Sequence, residues 1–295
     1  MKKIAISAML IGLMGLAQAD VTVYGMGRLY EESSTVGNAA SVTSLTNDKS
    51  RIGFKAGDEL GGGVKAFANI EVNVGFDSPT ASTIGDRVAL IGLSNQYGSV
   101  GIGRDKTALT KSLDSFDAMG GDLFGSSAAT IHSYQGTRLS NTVFLSGRIA
   151  EGFTAKYEIS NSEVAGTPNP YTASLVYTNG PVSATYARFD NGLTSLSNAY
   201  GAKFNVAKTG TTVFGLYTDN TVSSVARTGK SFGVSQTVSP KVTAMASYGE
   251  VDAIKAYNLG ANYELGKNTK VLARYLKETS TTDTTRYGVG LEYSF

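Results

Sequence analysis

Read backward from the C-terminus, the chain alternates apolar and polar side chains. Tyr287, Val289, Leu291, Tyr293 and Phe295 share one face, and Arg286, Gly288, Gly290, Glu292 and Ser294 share the other. The same split recurs at Tyr257, Leu259, Ala261, Tyr263 and Leu265 against Asn258, Gly260, Asn262 and Glu264. It appears again at Phe153, Ala155, Tyr157 and Ile159 against Thr154, Lys156, Glu158 and Ser160, and at Val64, Ala66, Ala68, Ile70, Val72 and Val74 against Lys65, Phe67, Asn69, Glu71 and Asn73. Successive side chains of an extended chain leave the backbone on opposite sides, so each segment predicts a β-strand with one greasy and one wet face. Repetition over segments of about ten residues predicts a transmembrane antiparallel barrel.

A soluble sandwich also alternates, but its apolar faces meet in a core and carry large aliphatic residues. Here those faces are rich in Ala and Gly, and their aromatics sit toward segment ends, as in Tyr257 and Tyr263, Tyr287 and Phe295, and Tyr171 and Tyr177. Rings placed there suit the headgroup layer, where the hydroxyl stays wet. Tight turns read at Asp58 to Gly62, Asn95 to Gly98, Ala150 to Gly152, Asn179 to Pro181, Lys208 to Gly210, Ser239 to Lys241 and Gly266 to Asn268, where Gly, Asn and Pro supply hairpin geometry. Longer polar links fall near residues 33–48, 77–85, 106–136, 163–170, 191–198, 220–228, 252–255 and 280–284. Seven turns alternating with eight links predict about sixteen strands, with fourteen as the alternative count. An even number places both termini on the periplasmic side, and closure requires the last strand to pair with Asp20 to Tyr30.

The N-terminus adds an address. Met1-Lys2-Lys3 precedes an apolar stretch from Ile4 to Ala17 and the small-residue pattern Ala17-Gln18-Ala19, which predicts a secretory signal peptide over 1–19 and a barrel domain over 20–295. The stretch is short of the roughly 20 residues that a membrane helix needs, and no later apolar run approaches that length. A chain without such a helix is held in a membrane only by a closed barrel, because every backbone group facing lipid must be paired internally.

Loss of Lys2 and Lys3 leaves 24 basic against 24 acidic side chains, a balance that removes any compositional case for a nucleic-acid partner. Cysteine is absent, so neither a disulfide framework nor a thiolate metal site is available. A Ser-His-Asp hydrolase would rest on the single histidine, His132. The spacing of Asp114, Asp117 and Asp122 does not match an EF-hand calcium loop. No enzymatic activity, catalytic residue, metal or cofactor is expected. Gly25-Met26-Gly27 and Gly101-Ile102-Gly103 read as strand glycines that thin the wall or form a bulge.

One link stands apart. Residues 106–136 hold Asp114, Asp117 and Asp122 together with Phe116, Phe124 and His132. A loop of that length in a compact domain is usually functional or disordered, and a barrel gives it an inward place to go.

Several stretches now carry a resemblance. Asp20-Val-Thr-Val-Tyr-Gly25, Ser50-Arg-Ile-Gly-Phe-Lys55 running into Asp58-Glu-Leu-Gly-Gly-Gly63, Arg87-Val-Ala-Leu-Ile-Gly-Leu-Ser94, Tyr97-Gly-Ser-Val-Gly-Ile-Gly-Arg104 and Tyr287-Gly-Val-Gly-Leu-Glu-Tyr-Ser-Phe295 follow one another in order. Together they span nearly the whole mature chain, which resembles the Gram-negative general porin family of trimeric, sixteen-stranded outer-membrane channels. The resemblance implies a homotrimer in the outer membrane of a Gram-negative bacterium, in contact with the lipid bilayer and lipopolysaccharide. It implies that the terminal aromatic strand is read by the outer-membrane assembly machinery. The third loop is expected to fold into the lumen and set its acids, Asp114, Asp117 and Asp122, against a basic wall. The chain is short for the family, which implies trimmed surface loops.

The basic wall follows from parity. With Ile52, Phe54 and Ala56 toward lipid, Arg51 and Lys55 point inward; Val64 and Ala66 likewise put Lys65 inside, Val88 and Leu90 put Arg87 inside, and Val21, Val23 and Leu29 put Arg28 inside. A charge facing lipid at mid-depth costs about 2–4 kcal/mol, which makes the lumen the default. Arg104 shares parity with Val100 and Ile102 and is therefore placed at or past the end of its strand. Such a constriction sieves small hydrophilic solutes and ions by size and sign, with no energy source. A substrate-selective sugar or oligosaccharide pore is the alternative and would want a ladder of inward aromatics, whereas Tyr24, Phe67, Phe144 and Phe214 are scattered. A barrel acting as a surface adhesin or structural anchor is a further alternative.

Overall fold

The computed structural model describes residues 20–77, 84–122, 132 and 137–295; the expected signal peptide and Phe124 lie outside these. In chain order the elements are β1 (Asp20–Val36), β2 (Val42–Asn47), β3 (Arg51–Gly61), β4 (Val64–Asn73), β5 (Val88–Ser94), β6 (Gly98–Lys106), the helix α1 (Ala108–Ser115), β7 (Arg138–Ala150), β8 (Phe153–Ser160) and β9 (Tyr171–Asn179). They continue with β10 (Val182–Asp190), β11 (Leu196–Val206), β12 (Thr211–Val222), β13 (Val225–Ser239), β14 (Val242–Val251), β15 (Ile254–Gly266), β16 (Thr269–Thr279) and β17 (Thr284–Ser294).

Apart from β2 and β3, each strand pairs antiparallel with its neighbours in sequence, and β1 pairs with β17, so the sheet closes on itself. Strands β2 and β3 are one wall strand broken at Asp48-Lys49-Ser50: β1 pairs its Leu29–Ser34 stretch with β2 and its Asp20–Met26 stretch with β3. Counting that pair once gives the sixteen strands that the turn pattern predicts, not fourteen.

The seam is offset from its expected place. β17 pairs with Met26–Val36, and the chain end adds a backbone pair in which the Gly25 amide donates to the Phe295 carbonyl at 2.9 Å and the Phe295 amide returns a bond at 3.1 Å. Tilted strands must stagger to close a cylinder, and the stagger carries Asp20 to Tyr24 past the chain's end. A β-carbon on Gly25 would lie 2.3 Å from the Phe295 ring, so the glycine makes room for the terminal aromatic. Gly290 is needed at the same seam, where a β-carbon would meet the Tyr30 ring at 2.5 Å.

Links are shorter than polarity suggests. Strands occupy most of 33–48 and 220–228, leaving a two-residue turn at Ser223-Ser224. The Ser and Thr residues there do not end the strands; once a strand leaves the lipid both faces are wet, and alternation loses its apolar half.

Along the wall the outward face is apolar and exposed, with Val23, Phe54, Ile91, Val100, Phe232, Leu259 and Val289 among it. Ring pairs mark its margins: Phe153 with Tyr177 and Tyr293 with Phe295 near the turns, and Tyr248 with Tyr257 near the loops. Polar residues of opposite parity, including Thr172, Ser174, Thr185, Thr218 and Ser231, are buried on the other face.

That inner face holds the described part of the long loop, up to Asp122 and at His132. Helix α1 starts at the N-cap Thr107, whose side chain accepts the Thr110 amide. Its Leu109 and Leu113, with Phe116, pack against Ala187, Phe189, Ala199 and Leu216, an apolar patch on the inner face of β10–β12. Polar bonds fix the same helix: the Ala108 amide donates to Glu158 at 2.9 Å, and Thr185 donates to Ser112 at 3.2 Å.

Candidate functional site: a charged space between loop and wall

Beyond α1 the loop crosses to the other side of the barrel and is anchored by charge. The Asp122 carboxylate accepts a 2.7 Å bond from the Tyr30 hydroxyl and a 3.0 Å bond from Arg274 Nε, and all three side chains are buried. The Lys49 ammonium donates to the Gly121 carbonyl. Asp117 is buried too; it accepts the amides of Met119 at 3.2 Å and Gly121 at 3.0 Å and so fixes the turn that carries Gly120 and Gly121 at positive φ. Burial pushes its carboxyl up to about 6, against the pull of those two amides. His132 lies against β12 and β13, with Nδ1 2.8 Å from Thr218 Oγ1 and Nε2 2.9 Å from Ser231 Oγ. Burial drives its pKa down to about 3, so the ring is neutral and one nitrogen donates while the other accepts.

Between this loop and the wall formed by the early strands lies a space of about 540 Å³. Its cations are Arg28 on β1, Lys49 at the break, Arg51 and Lys55 on β3, Arg87 just before β5, Lys106 at the end of β6 and Arg138 at the start of β7. Its acids are Glu71, Asp105 and Asp114. Among the described lining residues, seven cations against three acids leave an excess of four positive charges.

The acids are spent on specific partners. Glu71 bridges two arginines, with Oε2 3.2 Å from Arg51 Nε and Oε1 2.5 Å from Arg87 Nε, and it accepts a 3.2 Å bond from the Tyr24 hydroxyl. Asp105 pairs with Lys111 at 2.7 Å and lies 4.0 Å from Arg138. Asp114 on α1 pairs with Lys106. Arg28 also lines the space, but its partners are two acids outside that lining, Asp48 at 2.9 Å and Glu292 at 2.5 Å. Lys55 lies 4.7 Å from the centre of the Tyr24 ring.

Of the nine charges expected at a constriction, the structure brings Arg28, Arg51, Lys55, Arg87 and Asp114 together around this space. Asp117 and Asp122 are placed elsewhere, because the loop turns both carboxylates into its own backbone and the wall. Lys65 stands beside the Gly61–Gly63 turn, exposed and paired with Glu59. Arg104 lies inside β6, not at its end; a bulge between Gly103 and Asp105 lets the strand run on to Lys106. Its guanidinium donates to the Asp86 carbonyl at 3.0 Å and the Ser140 hydroxyl at 2.7 Å.

Lys49, Glu71, Asp105, Lys106 and Arg138 were not expected there. Glu71 was legible, since it sits opposite Ile70 and Val72 on a plainly alternating strand. The others flank the strand break and the bulge, where alternation carries no information.

A model of the Gram-negative porin family matches residues 5–295. The chain belongs to that family. Among curated relatives, the major outer membrane protein P.IB of Neisseria meningitidis is 32% identical over 117 residues, 37% of this chain and 35% of that protein. The match therefore spans about a third of the relative's length. Among solved structures, an anion-selective porin from Comamonas acidovorans superposes with a TM-score of 0.79 at 20% identity, over 94% of this chain and 100% of that one. A Salmonella typhi OmpF complex with daunomycin follows at 0.74 and 16%, over 93% and 97%. At such identities these two share the fold. The porin is thus a protein of the Gram-negative outer membrane, and its closed ring of strands is the membrane-spanning part.

The buried ring of His132 gives a pH test. An unfolded histidine takes up a proton near its ordinary pKa of about 6.5, and the folded one does so only near 3. Stability is therefore lost as pH falls below the ordinary value. Asp117, with its raised pKa, works in the opposite direction between roughly pH 4 and 6, and it does so equally in any variant that retains it. His132→Gln, which keeps a donor and an acceptor but does not titrate, is expected to hold its urea midpoint better than the parent porin between about pH 7 and 4. An equal decline in both proteins would mean that the ring is open to water.

Proposed function

We propose that this porin is a passive, water-filled channel for small hydrophilic solutes, with a preference for anions. The observation that carries the reading is the excess of cations around the space between loop and wall. Inside a barrel the low-dielectric wall focuses the field of unpaired charge into the bore, so a net positive lining raises the local concentration of anions. The loop narrows the passage, its Asp114 and the facing guanidinium groups set a field across it, and water ordered in that field disfavours apolar solutes. The fold neighbour from Comamonas acidovorans is described as anion-selective, which agrees in direction.

Two observations support a general bore over a sugar-selective or enzymatic one. Among the described residues Tyr24 is the aromatic that lines the space, and one ring is not a ladder. His132 commits both ring nitrogens to wall hydroxyls, so it has no carboxylate partner to orient it as a base.

The same reading extends to assembly. Residues 1–19 act as a removable export leader, the strand ending at Phe295 is presented to the assembly machinery, three copies associate, and the outer wall meets lipopolysaccharide. The native mass of protein extracted from membranes is expected to equal three chains that each begin at Asp20; a full-length N-terminus or a lone chain would contradict this.

In a planar bilayer under a salt gradient, stepwise conductance is expected with a reversal potential of anion-selective sign. Arg51→Glu and Arg138→Glu shift that potential toward cations, and Asp114→Asn shifts it further toward anions. A cation-selective parent channel, or a potential indifferent to these three substitutions, would overturn the reading.

A further inference from the structure

The outer wall between β13 and β16 carries an apolar groove with a basic end. Its floor is Ala246, shorter than the side chains around it, which include Phe232, Tyr248, Tyr257, Leu259 and Tyr275. The space is about 550 Å³. All six belong to the lipid-facing parity, and Phe232, Tyr257 and Leu259 are exposed. A slot between aromatic walls has to be filled by matching apolar matter, because unmatched surfaces forfeit dispersion contacts.

Above the slot the register assembles charge on the same outer face. Lys230 pairs across strands with Glu250, Glu250 with Lys255, and Tyr257 with Lys277. The Glu250 carboxylate is held toward one side: it lies 3.5 Å from Lys230 and accepts a 2.8 Å bond from the Tyr248 hydroxyl. Lys255 and Lys277 are exposed, and among the described residues no carboxylate lies within ion-pair distance of either. This rim is on the loop side, opposite Asp20 and Phe295, and short turns with both termini mark the periplasmic side of such barrels. Outward lysines on a membrane strand extend to the headgroup layer, here that of the outer leaflet.

We propose that this face binds a phosphorylated glycolipid of the outer leaflet, with an acyl chain lying over Ala246 and a phosphate held between Lys255 and Lys277. The proposal rests on the lipopolysaccharide contact in the functional reading above and gives that contact a site. Charge complementarity selects the occupant. Lys230, Lys255 and Lys277 against the single Glu250 leave this rim net positive and call for an anionic headgroup, whereas a second copy presenting the same face would set lysine against lysine.

Native mass spectrometry of the detergent-solubilised porin, titrated with bisphosphorylated lipid A, tests this. Lipid A is expected to bind, and to bind more weakly after enzymatic dephosphorylation. Removing both lysines (Lys255→Ala with Lys277→Ala) is expected to weaken binding roughly fivefold per lysine. Ala246→Phe, which fills the slot and leaves the charges in place, is expected to weaken it as well, and Lys267→Ala on the opposite rim to leave it unchanged. Single-channel conductance like that of the parent shows that each variant is folded. Equal binding by parent and variants would overturn the site while leaving a general lipid contact standing. Failure of the parent to prefer the phosphorylated lipid would overturn both. Loss of oligomer with unchanged lipid binding in Ala246→Phe would make the face an interface between copies instead.

Discussion

Backbone pairing in lipid is the constraint on which everything else in this molecule depends. No water reaches the hydrocarbon layer, so each amide and carbonyl there must find a partner in the sheet, and the sheet must close. The offset seam between β1 and β17 meets that requirement, down to the bonds between Gly25 and Phe295. Closure then dictates the rest. A ring of strands has one face in lipid and one inside, so at the depth of the hydrocarbon the apolar half of each alternation goes out and the charged half goes in, while outward charges gather at the rims. The interior is consequently no hydrophobic core, and a segment that enters it must be held largely by polar contacts.

The long loop shows how that is done. One end has a small apolar anchor, α1 against the patch on β10–β12. Farther along the anchors are Asp122 between Tyr30 and Arg274, Lys49 on the Gly121 carbonyl, and His132 between two hydroxyls. A buried pair such as Asp122 with Arg274 adds little net stability, yet breaking it strands an uncompensated charge at a cost of about 3–5 kcal/mol. Such contacts specify position more than they stabilise. Two of the loop's three central acids are consumed in this way, leaving Asp114 as the one that meets the space. Glu71, bridging Arg51 and Arg87, removes only part of the positive charge on the facing wall.

Alternation made the strands legible, along with the inward placement of Arg28, Arg51, Lys55 and Arg87, because burying a charge in lipid is costly enough to enforce parity. It failed wherever the backbone leaves the regular pleat. Lys49 has positive φ at the break between β2 and β3, and Asp105 and Lys106 follow a bulge, so no count of odd and even positions could have placed them. Lys65 had the right parity but the wrong height, beside a turn where both faces meet water. Asp117 and Asp122 could not be told from Asp114 in the sequence. Which carboxylate a loop turns toward its own amides, a buried arginine or the open space is decided by tertiary contacts that lie far apart along the chain.

The most direct measurement concerns whether the loop stands fixed on the wall while ions pass. Ser112 and Thr185 face each other with their side-chain oxygens 3.2 Å apart, and the chain has no cysteine of its own. A double substitution, Ser112→Cys with Thr185→Cys, is expected to form a disulfide under oxidation and to conduct equally in the oxidised and reduced states. Failure of the bond to form, or a single-channel current that changes when it does, would mean that the conducting barrel holds its loop somewhere else.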